Sequence, residues 1–346
     1  MKRSLFVLTF LIAGAWSAVA ADPPAWAYGF TTGLSSAPAG GGGGFGGPGG
    51  GRGGSGGGGG RGGSGRGGGP GRAPDTTMLK LEGSTLEFTR TQVNDGFGPA
   101  DWFPNEHPAM PEIVAKGRTP AIRACALCHY PNGQGRAENA GVNGFPAEYF
   151  IQQLKDFAAG NRKSADTRKA NTGAMASIAK AMTEEEMKAS AEYYAQIQFK
   201  QWIKVQESTT APKTRINVGL FLALDGNETE PLDNRIIEVP VSAEMTETYR
   251  NPHSSFIAYV PVGAVKKGEA LAKSGQCALC HGPELKGVGP APTIAGRSPS
   301  YMMRQMYDMQ QGTRKGFATG LMKPVVDKMS QDDMLNVVAY VATLKP

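Results

Sequence analysis

After its first twenty residues the 346-residue sequence has no apolar run long enough to cross a bilayer, so the mature protein is expected to be soluble, with no transmembrane segment. The opening itself, with Lys2 and Arg3, an apolar stretch from Leu5 to Trp16 and then Ala18-Val19-Ala20, has the charged, apolar and small-residue parts of a secretory signal. Residues 1–20 are therefore expected to be removed, near Ala20 or Ala21. No cysteine lies near that point, which excludes a lipid anchor on cysteine. Residues 1–20 and 40–72 also lack any Asp or Glu. Their six Lys and Arg account for the whole formal charge of +6, so the remaining thirty bases balance thirty acids. The basic balance thus belongs to the signal and the tract, and gives no reason to expect a nucleic-acid partner.

Residues 40–72 are glycine at 24 of 33 positions. A stretch so poor in apolar side chains cannot bury a core, and its composition predicts a disordered tether spanning about 30 Å. Ahead of it, within 21–39, Trp26, Tyr28 and neighbouring prolines form a short peptide expected to dock on the body or on a partner.

Only four cysteines are present, and one pentapeptide uses them all: Cys125-Ala126-Leu127-Cys128-His129 and Cys277-Ala278-Leu279-Cys280-His281. Two thiols three residues apart can each form a thioether to a vinyl group of one haem, and the next histidine can bind its iron. Two copies predict two covalently bound haem c groups. A thioredoxin-type redox pair, a zinc site and simple disulfides are the alternatives, and none of them has a use for the repeated histidine. Covalent haem on exported cysteines suits a bacterial periplasm.

The motif lies inside a longer repeat. At an offset of 152, Pro131, Gly135, Gly144, Tyr149, Gln153, Asp156, Gly160 and Arg162 match Pro283, Gly287, Gly296, Tyr301, Gln305, Asp308, Gly312 and Arg314. An offset of 147 then pairs Met175 with Met322, Thr183 with Ser330, Met187 with Met334 and Tyr193 with Tyr340. Two copies of one mainly helical domain are expected, at 110–200 and 262–346, the first preceded by an extension at 73–109. Helical segments are predicted over 112–129, 146–159 and 184–197, with second-copy equivalents at 301–311 and 331–344. The insert at 201–261 reads as a small β clasp, with strands at 215–225, 235–241 and 256–260 and a turn at Asp225-Gly226-Asn227.

Histidine supplies one axial bond, and the opposite face of the iron decides the chemistry. Three methionine pairs recur. Thr183 and Ser330 are expected helix caps with Glu186 and Asp333 three positions on, which makes Met182/Met187 and Met329/Met334 hydrophobic staples. Met175 and Met322, read as loop residues, have no such local explanation and are expected to be the sixth ligands, opposite His129 and His281. His107 and His253 sit in non-equivalent contexts, so bis-histidine ligation is not expected. The turn-rich loops after the motifs are expected to hold each imidazole N–H by a backbone carbonyl. Glu138 and Ala140 stand where the second copy has Pro290 and Pro292, so the two haem potentials need not match.

Together, the paired Cys-x-x-Cys-His motifs, Gly-x-x-x-x-Tyr-x-x-x-Gln, Gly-x-Arg, the following Met and the Ser/Thr-capped helix resemble dihaem cytochromes c of the cytochrome c4 type, over about 110–200 and 262–346. The resemblance implies two class I cytochrome c folds with their haems close together. It also implies a non-enzymatic periplasmic carrier of single electrons between a dehydrogenase or respiratory complex and a terminal oxidase. An electron-accepting subunit of a periplasmic dehydrogenase is the alternative. A dihaem peroxidase is disfavoured, because it needs one iron able to open a coordination site, whereas both halves here keep the Met.

Overall fold

The computed structural model describes residues 22–33, 73–316 and 318–346. The expected signal peptide and the glycine tract lie outside the described residues.

The second copy has a long first helix, Ala264–Ser274, followed by the motif helix Cys277–His281, then Pro299–Gln310, Thr319–Val326 and Gln331–Val341. Its first and last helices cross where Gly268 has no side chain: a Cβ there would stand 1.9 Å from the Asn336 carbonyl oxygen. The first copy keeps the motif helix Cys125–His129 and helices Ala147–Ala158, Ala170–Ala181 and Glu184–Ala195. The expected helical segment 112–129 is instead two short pieces, Glu112–Ala115 and Cys125–His129. Between them Gly117 takes φ +69° and Arg118 and Ile122 exchange backbone hydrogen bonds, a tight reversal that no helix continues through.

The last helix of each copy is capped reciprocally. The Thr183 hydroxyl accepts from the Glu186 amide (3.2 Å) while the Glu186 carboxylate accepts from the Thr183 amide (2.8 Å). Ser330 and Asp333 do the same at 3.1 and 2.9 Å. Met182 and Met187 then pack with Leu154 and Phe157, and Met329 and Met334 join the second copy's core, as hydrophobic staples should.

Between the copies lies a three-stranded sheet in which Phe256–Val260 is central, parallel to Ile203–Glu207 and antiparallel to Ile237–Pro240. The segment expected as one strand over 215–225 is a hairpin, Thr214–Asn217 against Leu220–Ala223. Its turn residues Val218 and Gly219 both have positive φ (52° and 84°), the hairpin geometry that matches strand twist. One apolar core runs through this insert, the second copy and the N-terminal peptide, with Tyr28, Trp202, Ile237, Phe256, Met303 and Leu335 all buried in it. The extension forms its own small core, in which Leu79, Leu81, Val93 and Trp102 meet Met245 and Tyr249 of the insert, and the Trp102 indole donates to the Tyr249 carbonyl (2.7 Å).

Candidate functional site

In both copies the Cys-x-x-Cys-His pentapeptide is a single helical turn, which puts the two sulfurs and the imidazole on neighbouring faces of one short element. His129 Nδ1 lies 2.8 Å from the Ala140 carbonyl oxygen, and His281 Nδ1 lies 3.0 Å from that of Pro292, the residue 152 positions on. A carbonyl only accepts, so each Nδ1 carries the proton and each Nε2 presents its lone pair. Burial holds the His129 pKa below its ordinary value, with the nearby Arg162 charge pushing the same way against the Ala140 carbonyl. A neutral, oriented imidazole results, the form an iron ligand requires.

Cys125 and Cys277 are not poised for redox exchange. Burial and the neighbouring Cys128 push Cys125 up to about 12, and burial raises Cys277 as well. A thioredoxin-type pair needs the opposite shift. Thioether formation removes the thiol altogether, so such burial is compatible with haem attachment.

The two methionines expected as sixth ligands are not in loops. Met175 sits within helix Ala170–Ala181 and Met322 within helix Thr319–Val326. Both are half-buried, Met175 against the cluster of Leu154, Phe157 and Met187, Met322 against the second copy's core. Neither helix has a signature in the sequence, because Ala170–Ala181 is rich in alanine and shows no strong apolar stripe, and Thr319–Val326 contains Pro324. His107 and His253 are engaged elsewhere. His107 lies between Asp101 (3.1 Å) and the Tyr193 hydroxyl (3.0 Å), and His253 Nε2 faces Glu106 (2.6 Å).

A polar knot joins the copies through their repeated residues. Arg162 donates to Gln153 (3.0 Å), Gln305 (2.8 Å) and the Tyr301 hydroxyl (3.2 Å). Arg314 donates to Gln305 (3.0 Å), Gln153 (2.9 Å) and the Tyr149 hydroxyl (3.2 Å). The two arginines also face each other as an antiparallel bridge, and the flanking amides of Lys163 and Lys315 bond across to Thr313 and Asn161. Two buried guanidinium groups served here by neutral acceptors call for anions nearby. Haem propionates are such anions, so the charge of the junction fits the cofactor that the two motifs imply.

Around the motifs the copies differ. The first is roofed: Arg250 from the insert donates to the Leu127 carbonyl, Asn132 and Gln134 donate to the Pro252 and Ser254 carbonyls (2.8 and 2.7 Å), and the Ala124 amide bonds to Gly96 of the extension (2.9 Å). Asn171 also donates to Asn139, whose own amide reaches the Cys128 carbonyl. In the second copy Leu279 is 81% exposed, Cys280 is exposed, and Val288 and Leu321 are exposed too. Arg250 was missed by sequence reasoning, which found no site residue in the insert; nothing in its local pattern separates it from any surface arginine.

A twice-repeated Cys-x-x-Cys-His turn with a carbonyl-held histidine defines a protein that binds two c-type haems. The Cytochrome c family matches residues 114–198 and 265–345. Cytochrome c-554(548) of Halomonas halodenitrificans is 34% identical over 77 residues, which cover 93% of that protein and 21% of this chain. The chain belongs to the cytochrome c family, and it carries two covalently bound haem c groups in tandem domains. Similarity extends further in the thiosulfate dehydrogenase electron acceptor of Stutzerimonas stutzeri, 28% identical over 232 residues, 66% of this chain and 82% of that protein. Cytochrome c4 of Azotobacter vinelandii is 33% identical over 89 residues, 23% of this chain and less than half, 42%, of its own length. Among solved structures, thiosulfate dehydrogenase (TsdBA) from Marichromatium purpuratum aligns with a TM-score of 0.43 and 24% identity, over 66% of this chain and 38% of that one. The relatives are cytochromes or an electron acceptor by name, and among the described residues no helix is long and apolar enough to cross a membrane.

Proposed function

We propose that this dihaem electron carrier is the electron acceptor of a periplasmic dehydrogenase of the thiosulfate-oxidising kind, passing single electrons on to a respiratory partner such as a terminal oxidase. One observation carries the choice. The similarity to the thiosulfate dehydrogenase electron acceptor runs over 232 residues, longer than the two haem domains together, whereas that to cytochrome c4 runs over 89. A free carrier of the cytochrome c4 type is the second reading, favoured only by the haem domains themselves.

In this reading Cys125 and Cys128, and Cys277 and Cys280, form the thioethers. His129 with Met175, and His281 with Met322, would hold the two irons. A haem held between histidine and methionine would supply one-electron transfer there rather than oxygen or peroxide chemistry. The Ala140 and Pro292 carbonyls orient the imidazoles and raise their basicity. The uncovered motif of the second copy is the port at which electrons pass to or from a partner, while the roofed first motif exchanges them through the second.

Mixing the oxidised protein with a thiosulfate dehydrogenase and thiosulfate, and following the visible spectrum, tests the reading. Reduction of both haems is expected, together with two methionine-to-iron bands in the near infrared of the oxidised form. A protein that stays oxidised in this mixture, yet is reduced by ascorbate, would refute the dehydrogenase assignment, and turnover of added peroxide would favour the peroxidase alternative instead.

A further inference from the structure

Residues 22–33 are separated in the sequence from the rest of the described chain by residues 34–72, yet Pro23, Pro24 and the run from Trp26 to Gly29 are buried. Ala25–Tyr28 makes one helical turn, closed by Gly29 at φ 83°. Tyr28 is fully buried and Trp26 nearly so. A single turn of helix is not stable alone, so its shape comes from what it touches.

Its contacts fall on three bodies at once. From the second haem domain, Arg304 donates to the Ala27 carbonyl (2.6 Å), Asp308 accepts from the Tyr28 hydroxyl (2.7 Å), and Gln331 donates to the Asp22 carbonyl (2.9 Å). From the first, Arg168 donates to the Thr32 carbonyl (2.9 Å) and lies over the Phe30 ring at 4.1 Å. From the insert, Gly219 meets Gly29 backbone to backbone: a Cβ on Gly29 would stand 2.4 Å from the Gly219 Cα. Two of these groups also span the domains directly. Arg304 donates to Ala137 of the first domain (3.0 Å), and Asp308 accepts from the Ala165 amide (2.7 Å). The peptide therefore completes the ligand sets of two second-domain side chains that reach across the junction.

We propose that residues 22–33 are a peptide ligand, bound in cis in a groove made jointly by the two haem domains and the insert, and that its occupancy fixes how the two domains sit against each other and so the rate of electron exchange between their haems. The second half of this claim rests on the dihaem reading above; the first does not. Trp26 and Tyr28 are the large side chains that the peptide buries, and the covalent connection through residues 34–72 keeps the peptide at high local concentration. Severing that connection removes the second advantage and leaves the first.

The test uses the full haem-loaded protein with a protease recognition sequence placed within residues 40–72. Before cutting, both haem bands should be present. After cutting and dilution, native mass spectrometry should show the peptide released, and hydrogen exchange should quicken in helix Pro299–Gln310 and around Ala165. Electron equilibration between the haems after photoreduction of one should slow several-fold, with each haem's own spectrum unchanged. Synthetic peptide 22–33 should restore both readings, and the same peptide carrying Tyr28→Ala should not. Release without change in exchange or equilibration would overturn the proposal, as would protection in the uncut protein that depends on its concentration, since the peptide would then be docking on a second copy. One haem band or none in the uncut protein would count against the dihaem reading and the exchange claim, leaving peptide docking to be judged by mass and hydrogen exchange.

Discussion

The two haem domains share a motif, a histidine-holding carbonyl and a capped last helix, but one is enclosed and the other is open. Around Cys125–His129 the chain has wrapped an extension and the tail of the insert, down to an arginine laid on the Leu127 carbonyl. Around Cys277–His281 the same positions are bare: Leu279, the counterpart of Leu127, is 81% exposed, and Val288 stands exposed where the first copy has Arg136. Arg136 is half-buried and paired with the buried Glu138 at 2.5 Å, and the second copy has Val288 and Pro290 in their places. Duplication preserved the chemistry of attachment and let the surroundings diverge. Since solvent and local charge tune a haem's potential, the copies are expected to differ in potential as well as in access.

The methionines give the largest expected effect. Met175→Ala and Met322→Ala should each abolish one near-infrared band and lower the midpoint of one haem by about 0.1 V or more, within the ~0.8 V range that axial ligands command. A redox titration of each variant checks this. If both substitutions move the same haem, or neither moves any, the parallel between the copies fails at its centre.

The knot is where the halves should be indistinguishable. Gln153 and Gln305 each accept from both arginines. Gln305→Leu leaves two buried guanidinium donors without a partner, at a cost of about 3 kcal/mol. Gln153→Leu should cost the same to within about 0.5 kcal/mol, and the double variant should cost less than the sum, because the two residues share their donors. Denaturant midpoints of the three haem-loaded variants decide it.

Asp156 and Asp308 are equivalent in the repeat but not in their surroundings. Burial raises the Asp308 pKa to about 6, although the Ala165 amide, the Tyr28 hydroxyl and Arg304 pull it back. The folded protein therefore holds this proton more tightly than the unfolded chain does. Near pH 3 both forms are protonated and Asp308 makes no difference. As pH rises from about 4 to about 6 the unfolded chain ionises first, so stability falls, on the order of 3 kcal/mol in all, and the deficit persists above that range. Asp308→Asn should remove this part of the pH dependence. Stability measured between pH 4 and 7 for wild type and variant checks it, and an unchanged slope would mean that Asp308 is ionised throughout.

What could be read from the residues alone followed from repetition and local chemistry. Cys-x-x-Cys-His, the Tyr, Gln and Arg positions, and the Thr183 and Ser330 caps were all visible as matched pairs, and the matched Tyr, Gln and Arg proved to be the knot. Groups with no repeat partner were opaque. Arg250 acts on the first motif from 123 positions away, and Arg304 reaches Ala27 across 277. Such contacts depend on where the insert and the N-terminal peptide pack, which no local pattern specifies. The helices carrying Met175 and Met322 were hidden for a different reason: one has little apolar contrast between its faces, and the other contains a proline, so periodicity had nothing to register.

The smallest effects on stability belong to the pair that best separates an open port from a closed one. Leu279→Ser removes an apolar group already in water, so the change in stability should stay within about 0.5 kcal/mol. Leu127→Ser alters a half-buried side chain beneath the roof and should cost about 1 kcal/mol, while Arg250 keeps its bond because it is made to the backbone. Their effects on reduction by a partner should run the other way. If the second domain is the port, Leu279→Ser slows bimolecular reduction several-fold and Leu127→Ser leaves it unchanged, since a partner never meets a roofed residue. Stopped-flow reduction of the two variants by the same dehydrogenase measures this. Equal slowing, or slowing by Leu127→Ser alone, would mean that the roof opens and that the first domain takes part in docking.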